Sequence, residues 1–289
     1  MTTAAEKHPA SVSMPKPPYP LQHQDKQPGI ESVMNPRPIY DDPNYKPGGK
    51  LKNKVAIITG GDSGQGRAIA VAFAKEGADV VIVYLNEHSD AEETKQVVEQ
   101  KGRKCLCIAG DLGQEAFCKQ IVEQTVTQFG RLDILVNNAA EQHIQDNFES
   151  ITSEQMERTF RTNFFSVFYL TKAALPNMKK GSSIINAASL TAYEGNEQLI
   201  DYSATKGAIV AFTRSLSKSL HSRGIRVEAY GRLLFPHLFL PLKSRSGERK
   251  IRWDVQGNLA RSHPRMYFWH RKTHRIFPDN SSMPQVALL

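Results

Sequence analysis

The chain predicts an α/β fold, a Rossmann-type doubly wound parallel sheet with helices on both faces, on three observations. Apolar runs rich in β-branched residues alternate with segments of helical periodicity. Those segments are about ten residues or longer, the length that right-handed crossovers between parallel strands require. A glycine-rich turn, Thr59-Gly60-Gly61-Asp62-Ser63-Gly64-Gln65-Gly66, joins the first run to the first helix.

Each element follows from local pattern. Residues 1–50 hold ten of the sixteen prolines and little apolar periodicity, so they read as a Pro-rich N-terminal arm lying over the body of the fold. A catalytic domain is expected over 51–227. Residues 54–58 form its first strand, and 67–76 carry helical periodicity that stops at Gly77. Strands are expected at 80–84, 105–109, 132–136 and 183–186, with helices at 90–101 and 115–129. Residues 153–179 read as one long helix with Pro176 near its end, and 201–222 as the helix that carries Tyr202. A sixth strand begins at 224–227.

Composition removes several classes. With 289 residues and 40% hydrophobic content the chain can bury one sizeable core. Three clustered cysteines, Cys105, Cys107 and Cys118, neither build a disulfide framework nor complete a zinc site, so no metal is expected and a cytoplasmic setting is. The longest apolar stretch, 233–242, is interrupted by Pro236 and His237, and no membrane partner is expected. The net charge is +8, yet residues 228–289 hold eleven Lys and Arg against four Asp and Glu, leaving the rest near neutrality. A basic balance confined to one segment argues poorly for a nucleic-acid partner.

The motifs carry the chemistry. Small residues in the glycine turn let the backbone approach a pyrophosphate, and amides at the helix start bind it, which nominates Gly60, Asp62, Ser63, Gly64, Gln65 and Gly66 as cofactor contacts. At the end of the second strand stand Tyr84, Leu85 and Asn86. That position has neither the carboxylate that selects NAD nor the cation that welcomes NADP, so either cofactor fits. Asp111-Leu112 and Asn137-Asn138-Ala139-Ala140 follow the third and fourth strands, at the sheet edge where such folds bind ligands. Tyr202 and Lys206 are four residues apart and share a helix face; the ammonium is expected to lower the phenol pKa and make Tyr202 a general acid/base. Ser189, thirteen positions upstream, is placed to donate to a carbonyl oxygen. Asn163 is expected to bend its helix and hold a water leading to Lys206.

At these residues the chain resembles the short-chain dehydrogenase/reductase family, over about 51–227. The resemblance implies a tetrad of Asn163, Ser189, Tyr202 and Lys206, with Gly60, Gly64, Gly66, Asp111 and Asn138 at the cofactor and Leu112, Ala139, Tyr202 and Lys206 beside them. Gln142-His143, Asp201-Tyr202-Ser203 and the arm from Gln22 to Glu31 resemble the stress-related glucose/ribitol dehydrogenase-like branch. The family implies an oxidoreductase acting on a small carbonyl or alcohol, a sugar, polyol or aldehyde, and commonly a homotetramer.

The pattern breaks after Val227. The family continues with an N-A-V-A-P-G run and a W-T-P-L segment, whereas this chain has Glu228-Ala229-Tyr230-Gly231-Arg232. Codons for Glu228–Leu233, Asp254–Arg265 and the run from Met266 can each be read from the third base as family-like sequence, in order and in one frame. Residues 228–289 therefore read as a basic, poorly ordered tail from a shifted reading frame, with the C-terminal strands lost and the tetramer weakened. Two rivals stand beside the enzyme: a non-catalytic dinucleotide-binding protein, and a destabilised, low-activity product of the shifted frame.

Overall fold

The computed structural model describes Gln24 and residues 26–231. After a short 3₁₀ turn at Glu31–Val33 in the arm, the elements run β1 Val55–Thr59, α1 Gly64–Lys75, β2 Asp79–Tyr84, α2 His88–Gln100, β3 Cys105–Ala109, α3 Glu115–Phe129, β4 Leu132–Asn137, α4 Ser153–Phe160, α5 Ser166–Ala174, β5 Met178–Ala187, α6 Thr191–Glu194, α7 Ile200–Leu220 and β6 Arg226–Tyr230. The strands form one sheet in the order β3-β2-β1-β4-β5-β6, and every pairing is parallel. Order reverses between β1 and β4, the switch point at which open α/β sheets leave a crevice beyond the strands' carboxyl ends.

Burial explains the strand sequences. Every residue of β1 and β4 is buried, because helices cover both faces and no face is left for polar alternation. Ile57, Val81, Leu135 and Ile184 line up across four neighbouring strands and pack with Ile121 of α3 and Leu170 of α5. Helix α1 buries Ala70, Val71, Phe73 and Ala74, and with them Arg67, which is 0% exposed.

The arm from residue 26 lies along the α1 and α2 side. Glu76 at the end of α1 accepts the Tyr45 hydroxyl and the Lys50 amide, and Asp41 pairs with Lys75 and Lys101.

Two expectations change. The single helix over 153–179 is instead α4, one turn of π-helix at Arg161–Phe165, then α5 and a 3₁₀ turn at Leu175–Asn177. Pro176, which cannot continue an α-helix, sits in that last turn, and the chain enters β5 at Met178. The sixth strand is present and runs past Val227: Glu228, Ala229 and Tyr230 pair with Ile185, Asn186 and Ala187 of β5. The rest of the proposed tail, residues 232–289, lies outside the described residues. Among the described residues no helix is long and apolar enough to cross a membrane, and no metal-ligating cluster occurs.

Candidate active site

The glycine turn is built around steric necessity. A Cβ on Gly66 would lie 1.7 Å from the Gly60 carbonyl oxygen, so no other residue fits there. Gly60 has φ +60 and packs against Asn138 and Ala139, whereas a Cβ on Gly64 would meet nothing within 4 Å. A backbone with free space above it is what close approach of a ligand requires.

Asn138 braces this turn from the neighbouring strand. Its Nδ2 donates to the carbonyls of Thr59 (2.9 Å) and Gly60 (3.3 Å), and the Thr59 hydroxyl accepts the amides of Asn138 and Ala139. Oδ1 of Asn138 accepts the Tyr230 hydroxyl at 3.0 Å. Tyr230 therefore supports the turn from a position past Val227.

The first-turn amides of α1 do not all face a ligand. The Gly64 amide is taken by the carboxylate of Glu31, an arm residue that is 3% exposed. Gln65 and Gly66, without intrahelical carbonyl partners, are left as the anion-binding amides. Glu31 also accepts from Arg67 Nη1 at 2.6 Å, and its own amide donates to Asp90 at 2.8 Å. Arg67 in turn donates to the Asp62 and Asp90 carbonyls and to Thr94. Burial raises the carboxyls of Glu31 and Asp62, while the Arg67 guanidinium pulls both down.

The other nominated contacts fall around this turn. Tyr84 ends β2, its hydroxyl 3.0 Å from His88 Nδ1, and burial raises its phenol. Asn86 and Asp111 are exposed, Asp111 holding the Gly113 amide at 2.8 Å, and Leu112 is buried. They line the carboxyl edge of β2 and β3.

The catalytic nominees converge on the far side of the switch point. Ser189, Tyr202 and Lys206 are 2%, 7% and 2% exposed. Ser189 Oγ accepts the Thr191 amide at 3.2 Å and the Thr191 hydroxyl at 3.0 Å, and its nearness to the Tyr202 phenol favours the ionised form of that phenol. Lys206 Nζ lies 5.3 Å from the Tyr202 ring centroid and donates to the Ala187 carbonyl at 2.8 Å. Burial lowers the Lys206 amine to about 8. The expected lowering of the Tyr202 phenol by Lys206 is reversed here: burial raises it, opposed by the neighbouring Ser189 hydroxyl, because the ammonium sits at the ring and a backbone carbonyl.

Asn163 lies fully buried in the π turn, at the point where a local bend of the helix was expected. Its Oδ1 accepts the Glu141 amide, and its Nδ2 donates to the Glu141 carbonyl and the Thr205 hydroxyl. These bonds use the amide to tie the loop after β4 to α7. Sequence reasoning did not foresee the surrounding neutral network. Asn137 and Asn186 bridge β4 and β5 at 2.8 Å, Asn186 reaches Thr213, and Asp201 accepts Thr159 and the Tyr202 amide. A run of polar residues at the ends of fully buried strands is the signal that could have found it.

Comparison with known proteins fits this geometry. The family profile described as short chain dehydrogenase matches residues 54–231. The chain is 62% identical to general stress protein 39 of Bacillus subtilis, covering 73% of each chain. It is 49% identical to glucose and ribitol dehydrogenase of Daucus carota, covering 72% of this chain and 74% of that one. Among solved structures, a short chain dehydrogenase from Burkholderia cenocepacia in complex with NADP superposes with a TM-score of 0.59 at 30% identity, over 62% of this chain and 74% of the other.

Proposed function

The chain belongs to the short chain dehydrogenase family of oxidoreductases, and on that premise we propose that it interconverts a small carbonyl compound and its alcohol with NAD or NADP, Tyr202 moving the proton. The Burkholderia structure binds NADP, and the glycine turn here suits a dinucleotide: Gly64 leaves room for close approach, and the Gln65 and Gly66 amides are free of intrahelical partners. A bound nicotinamide supplies or accepts the hydride.

The observation that carries the catalytic reading is the buried cluster of Ser189, Tyr202 and Lys206, with the Lys206 ammonium 5.3 Å from the Tyr202 ring centroid. With its pKa raised, the Tyr202 phenol holds its proton at neutral pH and serves as the acid for carbonyl reduction. Ser189, beside the phenol, offers a second donor to the carbonyl oxygen. Lys206, cationic below about pH 8, places its positive charge against the Tyr202 ring. Asn163 holds the backbone that carries this face of α7. A sugar or polyol substrate is proposed from the name of the Daucus carota relative, and an aldehyde from the family resemblance.

Tyr202→Phe tests the reading. Turnover of an aldehyde probe should fall by about 10²–10⁴, the range of general acid catalysis, while NADPH affinity stays within a few-fold. Undiminished turnover would overturn the assignment.

The same proposal includes a cytoplasmic setting and a reading-frame shift behind residues 228–289 that lowers activity and weakens the tetramer the family implies. The profile match stopping at residue 231 supports the shift. Sequencing the transcript across codons 227–228 tests it, since an in-frame message reading as printed in independent isolates would end it.

A further inference from the structure

We propose that Glu31, carried by the N-terminal arm, is a positioning residue of the dinucleotide site, so that docking of the arm and binding of the nucleotide strengthen each other. This rests on the reading of the glycine turn as the pyrophosphate cradle.

The geometry is specific. Glu31 sends one carboxylate oxygen to the Gly64 amide, at the point where the turn becomes helix α1, and the other to Arg67 Nη1. Arg67 then returns to the turn itself, both Nε and Nη2 donating to the Asp62 carbonyl, at 3.1 and 2.9 Å. One arm side chain thus fixes the turn at Gly64 directly and at Asp62 through a guanidinium that is wholly buried. Without that carboxylate, Arg67 would keep only the longer pairings with Glu93 at 3.2 Å and Asp90 at 3.8 Å, and the Gly64 amide would lose its acceptor. The place of Glu31 at the start of α1 is also favourable to the helix dipole.

The arm is anchored to present this carboxylate. Gln24 clasps the backbone of Ile30 in both directions, accepting its amide at 2.7 Å and donating to its carbonyl at 2.9 Å. The Glu31 amide is held by Asp90 of α2. Across the sheet edge, Gln27 forms the same kind of two-way bond with the backbone of Gln142, in the loop after β4 that Asn163 ties to α7. Whatever orders the glycine turn must then also favour the docked arm, because coupling between two sites is reciprocal.

The test uses the full chain. NADH and NADPH affinities are measured by nicotinamide fluorescence for the wild type, Glu31→Gln and Gln24→Ala, alongside thermal unfolding and limited proteolysis mapped to residues 24–50. Glu31→Gln should weaken both nucleotides by about tenfold and by the same factor, since it acts on backbone position and not on the ribose; one lost charge-assisted bond is of that size. Nucleotide should slow cleavage within the arm of the wild type, and less so in Glu31→Gln. Should Glu31→Gln fail to unfold cooperatively, Gln24→Ala removes a peripheral clasp only, and it should weaken both nucleotides by a few-fold at unchanged unfolding temperature. Wild-type affinity in the folded Glu31→Gln, or in Gln24→Ala where the first does not fold, overturns the proposal and leaves the dinucleotide reading intact, as does arm cleavage indifferent to nucleotide. A wild type that binds neither NADH nor NADPH overturns both.

Discussion

The two halves of the site are held by different chemistry. Around the glycine turn the fixing groups are ions: Arg67 sits buried against Glu31 and near Asp90, with Glu93 3.2 Å away at the rim. Around the catalytic helix they are mostly amides and hydroxyls, Asn137, Asn186, Thr171 and Thr213 on one side and Asn163 and Thr205 on the other, with the Asp201 carboxylate among them. The difference teaches where each half will break. A buried ion deprived of its partner keeps its full desolvation cost, whereas an amide network gives way one bond at a time.

The largest expected effect sharpens that contrast. Arg67→Ala leaves Glu31 and Asp90 buried without their cation, and breaking such a pair costs about 3–5 kcal/mol. Urea unfolding should register a loss in that range. A loss below about 1 kcal/mol would mean that the carboxyls simply take up protons, and that the ionic description of this half is wrong.

The next effect comes from the buried ammonium in the catalytic half. Burial lowers the Lys206 amine to about 8, against an ordinary value of 10.5. Below pH 8 both folded and unfolded chains hold this proton, and the cost of burying the ammonium is fully present. Between about pH 8 and 10.5 the folded chain sheds a proton that the unfolded chain keeps, so this contribution to stability rises with pH. Measured from pH 7.5 to 10, the stability of the wild type relative to Lys206→Met should therefore improve. A flat difference would place the Lys206 pKa near its ordinary value and remove the argument for a poised ammonium.

Much of the cofactor half was legible because its signals are local. A β-branched run, small residues at fixed offsets and a helix start lie within a dozen positions, and the turn formed where the pattern put it. The ions that hold it were not legible, because Glu31 and Arg67 are 36 positions apart and the arm carries no periodicity. One clue was present: Arg67 lies on the same helix stripe as Ala70, Val71 and Ala74, and a cation on a buried stripe demands a carboxylate from elsewhere. In the catalytic half the identities of Ser189, Tyr202 and Lys206 were legible, but the direction of the Tyr202 shift was not, since it depends on whether Nζ points to the phenol oxygen or to the Ala187 carbonyl. A bend at Asn163 was legible, but its partner was not, because Glu141 lies 22 residues away.

A smaller effect tests the neutral network. Asn186→Ala removes the partner of Asn137 and of Thr213 at fully buried positions, leaving donors and acceptors unsatisfied at about 1–3 kcal/mol. Chemical denaturation should place it below Arg67→Ala. If the two losses were equal, ionic and neutral fixing would be energetically alike and the comparison of halves would fail.

The smallest effect falls where the two halves meet. Tyr230 ends β6, past Val227 but within the residues the family profile matches, and gives its hydroxyl to Asn138, whose amide holds the glycine turn. Tyr230→Phe deletes one neutral, half-buried hydrogen bond and should cost about 0.5–1.5 kcal/mol in denaturation, with the ring's packing retained. Asn138 keeps its two backbone acceptors, so nucleotide affinity should move by less than it does in Glu31→Gln. A loss in that range would show that residues after Val227 contribute to the sheet despite their unfamiliar sequence. No loss at all would mean that Asn138 braces the turn unaided, and that the cofactor half ends, energetically, at the strands before β6.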